Sequence, residues 1–201
     1  MKKLLATLLL LPSFAFADWS GNMGMYSDYL FRGESQTMGQ RSLQGWVMAE
    51  KNGAYGGMWV GQVDGIMDAN YEYDLFGGYK LDLTDKLYLD MGLIQYRYDD
   101  KMVDKIEEWY VKGGNSWLQL AHWTNMDDKE NNYTEVTVML PLVSWADVDL
   151  RHGIRADDST YQQLTIKKVM DSGWVLGMEV LDTATDGEFT DSAAFFVSKN
   201  F

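Results

Sequence analysis

Tyr71-Glu72-Tyr73-Asp74-Leu75-Phe76-Gly77-Gly78-Tyr79-Lys80-Leu81-Asp82-Leu83 changes character at almost every step. Tyr71, Tyr73, Leu75, Gly77, Tyr79, Leu81 and Leu83 share one parity, and Glu72, Asp74, Phe76, Gly78, Lys80 and Asp82 share the other. Successive side chains of an extended chain point to opposite faces, so this segment is predicted to be a strand with one apolar, aromatic face and one mostly charged face. A helix would scatter the same residues around its axis. The next stretch repeats the pattern, with Leu87, Leu89, Met91 and Leu93 set against Tyr88, Asp90, Gly92 and Ile94.

The same pattern extends in both directions. Strands are predicted near residues 21–32, 42–51, 54–63, 71–82, 86–98, 106–113, 115–125, 132–141, 144–152, 160–170, 174–182 and 191–201, about 12 in all. The least distinct are 42–51, whose faces do not separate cleanly, and 144–152, which is short. Short connections fall at Lys51-Asn52-Gly53, Thr84-Asp85, Gly113-Gly114, Leu142-Val143 and Asp171-Ser172-Gly173. Asn-Gly and Ser-Gly suit tight turns because they tolerate positive φ. Longer connections run from Gly33 to Arg41, Asp64 to Asn70, Asp99 to Lys105, Met126 to Asn131, Gly153 to Ser159 and Thr183 to Thr190. Short and long connections alternate, as in an outer-membrane barrel with short periplasmic turns, longer outer loops and an even strand number. The expected fold is all-β, a transmembrane antiparallel up-and-down barrel.

The chain opens Met1-Lys2-Lys3, continues apolar from Leu4 to Phe16 and reaches Ala15-Phe16-Ala17 before Asp18. A basic start, a short apolar run and an A-x-A site define a secretory signal peptide, here residues 1–17, cleaved to leave a barrel domain at 18–201. The apolar run falls short of the roughly 20 residues of a membrane helix. Of 201 residues, 184 would remain, with 15 basic residues against 30 acidic ones once Lys2 and Lys3 are gone. That balance argues against a nucleic-acid partner, since phosphates need Lys and Arg to neutralise them. Cysteine is absent, which excludes a disulfide framework and thiolate metal sites. A closed barrel can dispense with both because its backbone hydrogen bonds satisfy one another.

Tyr26-Ser27-Asp28-Tyr29-Leu30-Phe31-Arg32-Gly33-Glu34-Ser35-Gln36-Thr37 closely resembles the SDYxFRGxSQT motif of the TorF family of proposed porins. Gly56-Gly57-Met58-Trp59-Val60-Gly61 with Asp64, Glu72 to Tyr79, Asp90 to Tyr96 and the terminal Val197-Ser198-Lys199-Asn200-Phe201 are similar to the same family. The resemblance is dense over residues 20–100 and thin between 115 and 190. It implies an outer-membrane barrel with a pore function and brings no catalytic residue, cofactor or defined substrate with it.

Within the first motif, Tyr29 and Phe31 share parity with Met23 and Met25, whereas Asp28 and Arg32 take the lumen-side parity. Four residues of strand separate the latter two by about 13 Å, too far to pair. Each is expected to pair across strands, in a hydrogen-bond cluster that plugs a narrow barrel, or to line the aperture. Elsewhere the inward carboxylates are Glu72, Asp74, Asp82, Asp90, Glu108, Asp147, Asp149 and Glu179, and the inward bases Lys80, Lys112 and Arg151. Rings of charge select ions by sign, so this interior is expected to favour cations or neutral solutes. Twelve strands enclose more space than the roughly eight that side chains fill.

Further partners are expected at the surface. Trp19, Trp59, Trp109, Trp117, Trp123, Trp145 and Trp174 suit interfacial girdles against membrane lipid. Asp99-Asp100, Asp127-Asp128 and Asp157-Asp158 lie in outer loops, where carboxylates can hold divalent cations and bridge to lipopolysaccharide phosphates; simple solvation of the loops is the preferred explanation, and no spacing matches a defined metal loop. On the last strand Ala193, Phe195, Val197 and Phe201 share one parity, and the terminal Phe201 resembles the signal that outer-membrane assembly machinery reads. Lys199 breaks that parity where its stem can snorkel.

The function expected is porin-like passive diffusion of small solutes, with no cofactor and no metal. A structural or adhesive barrel that conducts nothing is an alternative. A hydrolase is another, but it would need a nucleophile with a base, and only His122 and His152 are available. His122 shares parity with Leu118 and Leu120, while His152 stands near an outer loop with Asp157, Asp158 and Ser159. No G-x-S-x-G elbow, H-E-x-x-H pair or phosphate loop occurs.

Overall fold

The computed structural model describes residues 17–64, 66–128, 131–185 and 188–201; most of the signal-peptide segment lies outside them. Twelve strands close into one antiparallel barrel: β1 (Asp18–Tyr26), β4 (Ser42–Lys51), β5 (Ala54–Gln62), β6 (Tyr71–Asp82), β7 (Tyr88–Tyr98), β8 (Ile106–Gly114), β9 (Leu118–Asn125), β10 (Tyr133–Met139), β11 (Asp147–Arg155), β12 (Thr160–Val169), β13 (Trp174–Thr185) and β14 (Glu188–Asn200). Two short strands, β2 (Leu30–Phe31) and β3 (Glu34–Ser35), form a separate hairpin in the first long loop. Each barrel strand pairs with its neighbours in sequence, and β1 with β14 closes the ring, with Met23 opposite Lys199 and Tyr26 opposite Phe196. Closure leaves no unpaired edge, as any lipid-embedded sheet requires.

The parity read from residues 71–83 sorts the two faces. Tyr71, Leu75, Tyr79 and Leu81 are exposed outward, and Glu72 and Asp74 are buried within. Met23, Met25, Met58, Met91, Leu93, Leu120, Leu176 and Phe195 continue the exposed apolar belt around the barrel. In water such a belt would be an aggregation liability; a continuous band of it is what lipid covers.

Several expectations need correction. The first barrel strand stops at Tyr26 instead of running on to residue 32. Ser27 ends the ladder by exchanging contacts with Phe195, and the Asp28 carboxylate then accepts hydroxyl hydrogen bonds from Ser35 at 2.6 Å and Thr37 at 2.8 Å. Local side-chain bonds of this kind offer the backbone an alternative to a sheet ladder. Tyr29 and Phe31 therefore do not join Met23 and Met25 on the outer face; they turn inward with the loop. Alternation of short and long connections also weakens toward the C-terminus. The connection expected at Leu142-Val143 spans residues 140–146, and of the loop expected from Thr183 to Thr190, residues 183–185 extend β13 and 188–190 extend β14, with Thr183 opposite Thr190. Of the tryptophans assigned to girdles, Trp19, Trp109, Trp117, Trp145 and Trp174 are exposed, whereas Trp59 and Trp123 face the lumen.

Candidate functional site: the lumen and its inward hairpin

The β2–β3 hairpin folds into the barrel mouth at the loop end. Its turn is Arg32-Gly33, with φ of 47° and 87°, the pair of positive values that a two-residue hairpin turn requires. On one side Leu30 packs in a buried cluster with Tyr133, Tyr161, Leu181 and Ala194 from β10, β12, β13 and β14. On the other, Tyr29 is buried with Val63 and Ala69, against Phe31, Trp59, Ile66 and Tyr98. The hairpin thus spans the lumen and bears on opposite walls.

Polar contacts pin it further. Arg32 donates from Nη1 to Glu108 Oε1 at 2.8 Å and from Nη2 to Glu108 Oε2 at 2.7 Å, and Tyr96 donates to the same carboxylate at 3.0 Å. Its guanidinium carbon stands 4.4 Å from the Tyr133 ring centre, 5.0 Å from Phe31 and 5.2 Å from Trp123. A planar cation ringed by aromatic faces and held side-on by a carboxylate is the arrangement in which arginine outperforms lysine. Thr183 donates to the Gly33 carbonyl at 2.6 Å, and Arg155 Nη1 reaches the Arg32 carbonyl at 3.1 Å and Glu34 at 2.6 Å.

The hairpin divides the open space. Toward the loop end lies a vestibule of about 570 Å³ whose lining includes Arg32, Glu34, Asp128 and Arg155. Inside it lies a cavity of about 720 Å³ lined by rings (Tyr29, Phe31, Trp46, Tyr55, Trp59, Tyr110, Trp123) and by Glu50, Asp74, Lys80, Asp90 and Lys112. Phe31 borders both.

Among the residues expected to line the pore, Arg32, Glu72, Asp74 and Glu108 converge at the hairpin. Glu72, with the Tyr98 hydroxyl 3.4 Å away, stands beside Asp74 on β6. Asp28 lies within the loop and braces it, instead of lining the wall as a strand residue. Lower down, Asp90 stands in register between Lys80 and Lys112 and accepts from the Tyr55 hydroxyl at 2.5 Å. Lys112 reaches over the Tyr110 and Trp123 rings at 4.4 and 5.4 Å, and Lys80 over Tyr88 at 5.0 Å. Around the far wall Arg151 lies 3.4 Å from Glu135, with Asp149 and Glu179 half-buried on the strands beside it. Asp82 and Asp147 are exposed at the turn end, outside this cluster.

Glu135 and Arg155 were not singled out in the sequence. Glu135 shares parity with Tyr133 and Thr137, all three buried, so the alternation itself could have placed it inside. It accepts from the Tyr133 hydroxyl at 2.6 Å, while Tyr133 and Tyr161 touch hydroxyl to hydroxyl with stacked rings. Arg155 ends its strand, where parity says little. Neither histidine faces the lumen: His122 meets Thr134 at 2.8 Å on the outer face, and His152 shares the outward parity of Leu150 and Ile154. The loop aspartates mostly cap backbone. Asp99 accepts from the amides of Asn70 and Tyr71, and Asp157 from Ser159. Among the described residues no group of three or more His, Cys, Asp or Glu is placed to hold a metal ion.

Fold and site together define a closed twelve-stranded antiparallel β-barrel with an apolar outer belt and its mouth crossed by a folded loop. The chain belongs, over residues 14–201, to the family Gcw_chp, described as bacterial protein of unknown function; the resemblance to TorF porins rests on the motif residues alone. Among solved structures it is similar to the KdgM porin at 9% identity and a TM-score of 0.65, covering 90% of this chain and 98% of that one. KdgM has also been solved in complex with disordered oligogalacturonate. The NanC porin aligns at 11% identity and a TM-score of 0.54, covering 92% and 99%. No curated protein matches the sequence.

Proposed function

We propose that the protein is an outer-membrane channel for small solutes, constricted at its outer mouth by the β2–β3 hairpin and favouring cations and neutral solutes over anions. The observation that carries this is the charge of the constriction. Glu72, Asp74 and Glu108 are all buried there, and Arg32 spends its charge on Glu108. A field of that sign in a narrow, partly dry passage raises the local concentration of cations and repels anions. The KdgM ligand is a polyanion, a poor match to this lumen, so the shared barrel is taken to carry a different solute. Signal-directed export with cleavage after Ala17, assembly through Phe201 and loop contacts with lipopolysaccharide belong to the same proposal. In it the loop end faces outward and the short turns face the periplasm.

Refolded protein in a planar bilayer under a salt gradient tests the reading. Expected is a measurable conductance with a reversal potential of cation-preferring sign; an anion-preferring potential removes the charge argument. A second reading, a structural or adhesive barrel that does not conduct, is favoured by the anchoring of the hairpin on opposite walls. It predicts silent bilayers and no swelling of liposomes in any small sugar or amino acid.

A further inference from the structure

We infer that the inner cavity holds an organic-cation subsite, in which an amine is received by Asp74 and its apolar body is caged by Tyr29, Phe31 and Trp59. The inference deepens the channel reading and rests on the lumen being a solute path. Two independent observations support it.

The first is an imbalance of charge. Glu72 and Asp74 are adjacent inward residues of β6, at 2% and 6% exposure, close enough to interact directly. Arg32 binds Glu108 with both terminal nitrogens and gives neither of them a hydrogen bond. Lys80 and Lys112 flank Asp90 in register, and Lys80 is six residues further along β6, about 20 Å at strand rise. Arg32 therefore acts on both carboxylates only at a distance, and among the described residues neither has a cation in hydrogen-bond contact, a costly arrangement in a buried site.

The second is an unfilled acceptor. Among the described residues Asp74 Oδ1 is buried without a hydrogen-bond partner, and Asp74 lines the aromatic cavity. Its cross-strand neighbours are Trp59 on one side and Tyr96 on the other. Tyr29 lies 5.2 Å, ring centre to ring centre, from Trp59 and 6.2 Å from Phe31. Three aromatic faces beside an unsatisfied carboxylate oxygen satisfy both needs of an ammonium group, N–H donation and a cation–π environment. A cavity of about 720 Å³ admits a compact amine.

Isothermal titration of the refolded, detergent-solubilised protein with phenethylammonium tests this, with 2-phenylethanol and 3-phenylpropionate as neutral and anionic counterparts of the same body. Expected is binding of the amine, with the alcohol and the acid weaker by about tenfold or more, the scale of losing a buried charged partner. Asp74→Asn, which keeps size and removes charge, should weaken the amine by about tenfold and leave the alcohol unchanged. Glu72→Gln, with folding verified by heat-modifiable gel migration, should act in the same direction. Equal affinity for the three probes, or amine binding that both variants leave intact, overturns the inference. Bilayer conductance is measured separately: a silent barrel that still prefers the amine refutes the channel and retains the subsite, and a conducting barrel indifferent to the amine does the reverse.

Discussion

Arg32 meets Glu108 side-on, nitrogen to oxygen at 2.8 and 2.7 Å, so one ion pair joins a loop tip to the barrel wall 76 residues away in sequence. The pair is nearly dry, with the carboxylate 3% exposed. Its partners are pre-positioned by strands that are themselves closed into a ring. Removing either member leaves the other as an uncompensated buried charge, the costly case for a desolvated pair.

Arg32→Ala is therefore expected to loosen the hairpin without opening the barrel. Single-channel conductance should rise and the gel-resolved folded form persist, because the wall ladder is untouched. Glu108→Gln should act likewise. The double variant should fall short of the sum, with a coupling of about 2 kcal/mol in denaturant unfolding. Additive effects would mean that the two side chains do not hold the loop together.

Gly33 offers a test that leaves every charge in place. It adopts φ of 87°, and an added Cβ would come 2.7 Å from the Tyr161 ring, which is packed in turn against Gly153 across the β11–β12 pair. Gly33→Ala is both strained and obstructed. It should unseat the hairpin and reproduce the raised conductance of Arg32→Ala while the reversal potential stays put. Unchanged conductance would show that the constriction lies elsewhere.

The barrel itself was legible in the alternation of residues 71–83, since a period of two is a direct record of which face meets lipid. The strand at 71–82 was read to the residue, and even 42–51, whose faces blur because Trp46 and Met48 point into the aromatic cavity, is a strand. The inward hairpin was not legible. Residues 27–32 alternate like their predecessors, and what diverts them is tertiary: an Asp28 carboxylate held by Ser35 and Thr37, and a lumen wide enough to admit the loop. Trp59 and Trp123 misled for a related reason, because composition places tryptophan at interfaces and only the register shows which way each points. Of the residues assigned inward by parity, Glu72, Asp74 and Glu108 are buried together beside the hairpin, whereas Asp82 and Asp147 are exposed at the turn end, where the strands run out of the barrel wall.

Acid should loosen the outer loop that leads into β6. The amides of Tyr71 and Asn70 hold the Asp99 carboxylate below the usual carboxylate range. A lowered folded value means the contribution is fully present above the unfolded value of about 3.9 and disappears as pH falls through the lowered one. Hydrogen exchange at Asn70 and Tyr71 should therefore lose protection below about pH 4 relative to mid-strand amides of β6. Asp99→Asn should lack that acid-dependent step; an identical profile in the variant would assign the protection to the strand alone.

Phe201 separates packing from recognition. Gly21 and Phe201 exchange two backbone hydrogen bonds of 3.0 Å across the closing seam, and a Cβ on Gly21 would lie 2.5 Å from the Phe201 ring. The backbone pair survives Phe201→Ala, and Phe201 as a whole is 71% exposed, so its side chain contributes little burial. Refolding from urea into detergent should thus be nearly unaffected by that substitution. If the assembly machinery reads the terminal aromatic, the yield of heat-modifiable protein in envelopes should fall severalfold in the same variant. Deleting Phe201 removes the seam hydrogen bonds as well and should impair both assays. Equal, mild losses in cells and in detergent for Phe201→Ala would make the ring a packing residue with no role in recognition.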